Sequence, residues 1–206
     1  MNEGYNEVLR SIGSSDPTPG GGSVAALSLA HAHSLAMMVA RLTEGKEKWA
    51  EGHEVAKSVI SESQVGLAEA MRLAEIDAEA FDTVMSAYRL PRETNEQKVE
   101  RKKMIRDATI GAAEAPLATA SSAMELLSNL EGLCVSCNAN ALTDLASASE
   151  LSLSAVKIAA MNVRINLDFI EGDDVDRLAS QIEKVIQKST SYAEAITLKV
   201  NERLGW

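Results

Sequence analysis

Five polar residues stand inside runs of Ala, Ser, Leu and Val, where a buried polar group is costly unless it finds a partner: Asp77, Asp144, Asn138, Asn162 and Asn166. A carboxylate buried in such surroundings has its pKa raised and can exchange protons near neutral pH, which is general acid or base chemistry. An asparagine presents donor and acceptor side by side and so orients a polar substrate. Asn162 and Asn166 are four residues apart and share one helix face. Asp144 lies 18 residues before Asn162, on the same face but about 27 Å along the axis, so the two cannot hold one small group. The spacing suggests a long groove, with Asp144 and Asn138 serving one part and Asn162 and Asn166 another.

A second feature precedes the first helical pattern. Gly20, Gly21 and Gly22, followed by Ser23, end where an Ala-rich run begins at Val24. Ordered glycines cost backbone entropy, so three in a row imply unusual dihedrals or close approach of another group. A helix opening there would aim unpaired N–H groups and the positive end of its dipole at an anion or polarised oxygen. A sharp turn capped by Ser23 explains the same residues without a ligand. No Lys-Ser/Thr follows the glycines and no strand precedes them, so the common phosphate loops are excluded.

Other residues carry weaker signals. His31 and His33 are two apart, on opposite helix faces, and cannot share a metal. Cys134 and Cys137 form a lone C-x-x-C that reads as two small apolar thiols. Arg41, Lys46, Lys48, Arg89, Arg92 and Arg164 are available to steer an anion. Arg164 is the most suggestive, and pairing with a carboxylate explains it equally well. Asp144 suits the first turn of a helix on dipole grounds alone.

The elements that must position these groups read as helices throughout. Helices are expected over Val24–Leu42, Trp49–Tyr88, Thr94–Glu114, Leu117–Leu130, Asn138–Glu171 and Val175–Leu204. Pro91 ends the second, Thr94 with Gln97 has capping-box spacing, Pro116 invites a kink or fresh start, and Gly132 and Gly172 mark stops. No period-2 pattern or linker interrupts them, so 206 residues make a single all-α domain, an up-and-down bundle. Helices apolar on most faces imply a homodimer. The net charge of −10 and 3% aromatic content argue against nucleic acid. The apolar run Val24 to Ala40 is broken by Ser28, His31, His33 and Ser34, and the N-terminus lacks a signal-peptide core, so a cytoplasmic protein without a membrane span is expected.

Pro17 to Ala26, Asp77-Ala78-Glu79-Ala80-Phe81, Arg89-Leu90-Pro91, Pro116-Leu117, Asn138 before Asp144, and Asn162 to Leu167 together resemble the cyclodeaminase domain of the formiminotransferase-cyclodeaminase family, over essentially the whole chain. The resemblance implies an all-α dimer acting on a tetrahydrofolate derivative, without metal and with no cofactor beyond that substrate. The implied reaction converts 5-formiminotetrahydrofolate to 5,10-methenyltetrahydrofolate and ammonia, or, alternatively, is that of a methenyltetrahydrofolate cyclohydrolase. Asp77 and Asp144 would do the acid/base work or hold the pterin. Gly20, Gly21, Gly22, Ser23, Asn138, Asn162, Arg164 and Asn166 would bind substrate. A reading from another class is a non-catalytic dimeric module that binds folate or another anion, or scaffolds a partner.

Overall fold

A computed structural model describes residues 3–206. Six α-helices run in order: α1 Glu3–Ile12, α2 Gly21–Glu44, α3 His53–Tyr88, α4 Asn95–Ser136, α5 Leu142–Leu167 and α6 Asp173–Leu204. Short 3-10 turns at Glu47–Gly52 and Ala139–Ala141 join α2 to α3 and α4 to α5, and no strand occurs among the described residues. The fold is the expected all-α bundle. α2 lies between α3 and α5, while α4 packs on α3, α5 and α6. Alanines such as Ala25, Ala32, Ala36, Ala155 and Ala159 are fully buried and let these axes approach closely, and Leu126, Leu127, Leu130, Leu142 and Leu145 fill the space between.

Several boundaries differ from expectation for local reasons. α2 begins inside the glycines, with Gly20 at the N-cap position, so Ser23 sits in the first turn and does not cap. α4 is one continuous helix of 42 residues through Pro116. Proline removes the N–H that would meet the carbonyl four residues back, here Ala112. Asn166 on α5 replaces it: its Nδ2 donates to the Ala112 oxygen at 2.9 Å. The helix also runs through Gly132, because Leu130, Leu133 and Cys134 around it are buried and outweigh one glycine. The capping box at Thr94 and Gln97 forms, and Gly172, with φ of +131°, makes the turn into α6.

α1 was not anticipated. It has no buried residue and lies on the outside, its Tyr5 hydroxyl 3.2 Å from His31 Nε2. α2 is long and apolar enough by composition to cross a membrane, contrary to the reading of its sequence. Its apolar residues, including Ala25, Leu29, Ala32, Ala36 and Val39, are spent on α3 and α5, as in a core helix.

Candidate functional site

The first turn of α2 faces the middle of α3. The Ser23 hydroxyl donates to Asp77 Oδ2 at 3.0 Å, and Ser23, at 1% exposure, is inaccessible to a ligand. Gly22 lies against the same carboxyl: a Cβ there would stand 2.0 Å from Asp77 Oδ1, closer than any real contact. Glycine is required at this position by the carboxyl group itself. A Cβ on Gly21 would reach 3.4 Å from Asn162 Nδ2, so the α5 amide stands over the start of α2. Thus Gly21, Gly22, Ser23, Asp77 and Asn162, drawn from three helices, converge at one end of the bundle.

Burial pushes the Asp77 carboxyl above the ordinary carboxylate range, while hydrogen bonds from the Ser23 hydroxyl and backbone N–H pull the other way. The N–H groups of the first turn, unpaired within the helix, and the dipole behind them favour the ionised form. The result is a half-buried carboxyl held in one orientation, able to carry or release a proton.

The remaining candidates separate. Asn166 uses its Nδ2 on the carbonyls of Ala112 and Asn162, so it secures α4 against α5 and positions Asn162 through its backbone. Asn162 Nδ2 donates to Ile158 of its own helix. Arg164 is exposed and paired with Glu183 on α6 of the same chain at 2.6 Å. Asn138 lies at the opposite end of α5 from Asn162. It is 6% exposed, donates from Nδ2 to the Leu42 carbonyl, receives the Asn140 N–H, and its own N–H donates to Thr43 Oγ1. All its hydrogen-bonding groups hold the turn between α4 and α5 to the end of α2. Asp144 follows in the first turn of α5, so within one chain it is not brought to Asp77.

His33 and the cysteines are also placed. His33 is 5% exposed, its ring pressed on Gly66, where a Cβ would stand 2.2 Å away. Burial lowers its pKa to about 4. Cys134 and Cys137 are buried free thiols near the α4 C-terminus, and Arg203 donates to both of their carbonyls, at 2.8 and 2.6 Å. One feature escaped the sequence reading: a groove of about 630 Å³ between α3 and α4, beginning at Ile76 beside Asp77. Its walls come from two helices at helical spacing, which no linear motif records.

The fold defines the class as an all-α helical bundle in which a carboxyl is clamped at a glycine-opened helix start. The chain matches the family model described as formiminotransferase-cyclodeaminase over residues 4–188, and it belongs to that family. It is 34% identical over 202 residues to a methenyltetrahydrofolate cyclohydrolase from Methylorubrum extorquens, covering 98% of this chain and 95% of that protein. It is 28% identical to the formimidoyltransferase-cyclodeaminase of Sus scrofa over 95% of this chain but 36% of that protein, so it spans about a third of that longer relative. The formiminotetrahydrofolate cyclodeaminase of Thermotoga maritima shares its fold, with a TM-score of 0.79 at 23% identity over 100% of this chain and 96% of that one.

Proposed function

We propose that the chain is a tetrahydrofolate one-carbon enzyme that uses Asp77 as its proton carrier. The observation that carries this reading is the half-buried carboxyl of Asp77 fixed against Gly22 and Ser23 at the α2 N-terminus. In the cyclodeaminase reaction, N10 attacks the formimino carbon, and the proton N10 gives up together with one delivered by Asp77 converts the departing imino nitrogen to ammonia as the C–N bond breaks, leaving the methenyl cation bridged between N5 and N10. In the cyclohydrolase reaction, ionised Asp77 takes a proton from water as the water oxygen bonds to the methenyl carbon; it then returns that proton to N5 as the C–N5 bond opens, and the carbinol proton passes to solvent as the formyl group forms on N10. Both pass through a tetrahedral carbon between N5 and N10, so one carboxyl poised between its two forms serves either. The N–H groups of Gly21 and Gly22 and the Asn162 amide would hold the pterin edge.

Between the two reactions, the higher identity to a cyclohydrolase, 34% against 28% and 23% for the two cyclodeaminases, favours hydrolysis. A homodimer fits the exposed apolar residues Met161 and Ile165 on α5 and Phe169 just past its end, each more than half exposed. A cytoplasmic setting fits a chain whose most apolar helix is spent on its own core. Purified protein is expected to form the near-ultraviolet chromophore of methenyltetrahydrofolate from 5-formiminotetrahydrofolate, or to speed its loss by hydrolysis, and the ratio of rates chooses between them. Folded protein that changes neither signal would leave the non-catalytic module standing.

A further inference from the structure

We propose that the groove between α3 and α4 holds the aminobenzoyl portion of the substrate and that Arg89, Arg92 and Arg101 at its far end receive the acidic tail; this rests on the folate reading above. The groove starts at Ile76, next to Asp77, and ends at Leu90, 14 residues further along the chain and just past the end of α3, about 20 Å away. Ile76, Ala80, Ala87 and Leu90 form one wall and Met104 and Ala108 the other, apolar surfaces suited to an aromatic ring. Gly111 lies in the wall near the Asp77 end, and a Cβ there would meet nothing within 4 Å, so packing of the fold does not explain the glycine. The space it leaves belongs to the groove.

Charge sets the direction. Glu79 and Asp107 also line the groove and repel a carboxylate along its length. Beyond them the sign reverses: Arg89 to Arg106 carries seven basic residues against three acidic, in a chain of net charge −10. Arg106 is taken by Asp174 at 2.6 Å. Arg101 stands one turn beyond Met104, its guanidinium tied to the Tyr88 carbonyl at 3.0 Å and lying 5.5 Å from the Tyr88 ring, with its buried Nε unpartnered. Arg89 and Arg92 flank Leu90 and are exposed. The other apolar groove near α2, about 390 Å³ beneath α1, has no Lys or Arg in its lining and offers an anion nothing.

The test uses two readouts on the full chain. In steady-state assays, Arg89→Gln combined with Arg92→Gln should raise KM for the glutamate-bearing tetrahydrofolate substrate about tenfold with little change in kcat, as expected for loss of charged hydrogen bonds made equally in ground and transition states. Gly111→Phe should raise KM as well by filling the groove, and Lys188→Gln on α6 serves as a charge control with no effect. The probe p-aminobenzoyl-glutamate, which carries the tail but no reacting carbon, is titrated calorimetrically in parallel. Binding to the parent that is lost in the arginine and Gly111 variants supports the tail site even if turnover is absent. Unchanged KM together with equal probe binding, or no probe binding to the parent, overturns it while leaving any observed turnover intact.

Discussion

Asp77 and Asp144 are both aspartates on long Ala-rich helices with asparagines nearby, yet the two ends of the bundle have opposite characters. At the Asp77 end, three helices bring a carboxyl, a hydroxyl, an amide and helix-start N–H groups together, and Gly22 removes the side chain that would fill the space. At the Asn138 end, the polar groups are consumed internally: Asn138 joins α2 to the α4–α5 turn, and Arg203 closes the carbonyls that end α4. One end is held poised by structure, and the other is structure. The same residue types give a site or a joint according to whether their hydrogen bonds leave a group able to change its protonation.

Substitutions at the two ends should therefore fail in different ways. At the glycine end, Gly22→Ala should displace the Asp77 carboxyl by the depth of the clash and lower kcat/KM by about 100-fold, measured by loss or gain of the methenyl chromophore. Asn138→Ala should do the reverse, costing about 2 kcal/mol in urea unfolding by leaving the Leu42 carbonyl and the Asn140 N–H unpaired, with kcat little changed. Equal catalytic losses in both variants would erase the distinction.

His33, buried between the two ends with neither ring nitrogen hydrogen-bonded, sharpens the contrast because its protonation bears on the stability of the fold. Its folded pKa of about 4 lies below the ordinary 6.5, so the unfolded chain binds the proton first as pH falls. The stabilisation is complete well above pH 6.5 and is lost as pH falls toward 4, by about 2–3 kcal/mol at pH 4.5. His33→Leu should flatten that part of the stability profile without moving the pH dependence of turnover. A shifted pH–rate profile would place His33 in the chemistry.

Much of this was legible in the sequence because it is local. Thr94 with Gln97 and Pro91 mark helix ends through contacts within a few residues, and the structure keeps them, whereas Gly172 does not stop the preceding helix, which ends at Leu167, but stands at the N-cap of α6. Pro116 misled because the group that replaces its missing bond, Asn166, lies 50 residues away on another helix. Ser23 read as a cap or ligand group, and its true partner Asp77 is 54 residues distant. α1 carried no signal because it buries nothing. Asp77 was found by its type and setting, whereas only the packing of α2 against α3 distinguishes it from Asp144.

The most direct test compares Asp77→Asn and Asp144→Asn, both verified as folded, in the chromophore assay with the same tetrahydrofolate substrate. Removing a general acid or base costs about 10²–10⁴ in rate, so Asp77→Asn should lose at least about 100-fold in kcat while Asp144→Asn stays within about twofold of the parent. Full activity in Asp77→Asn, or a comparable loss in Asp144→Asn, would contradict the assignment of the chemistry to the glycine end.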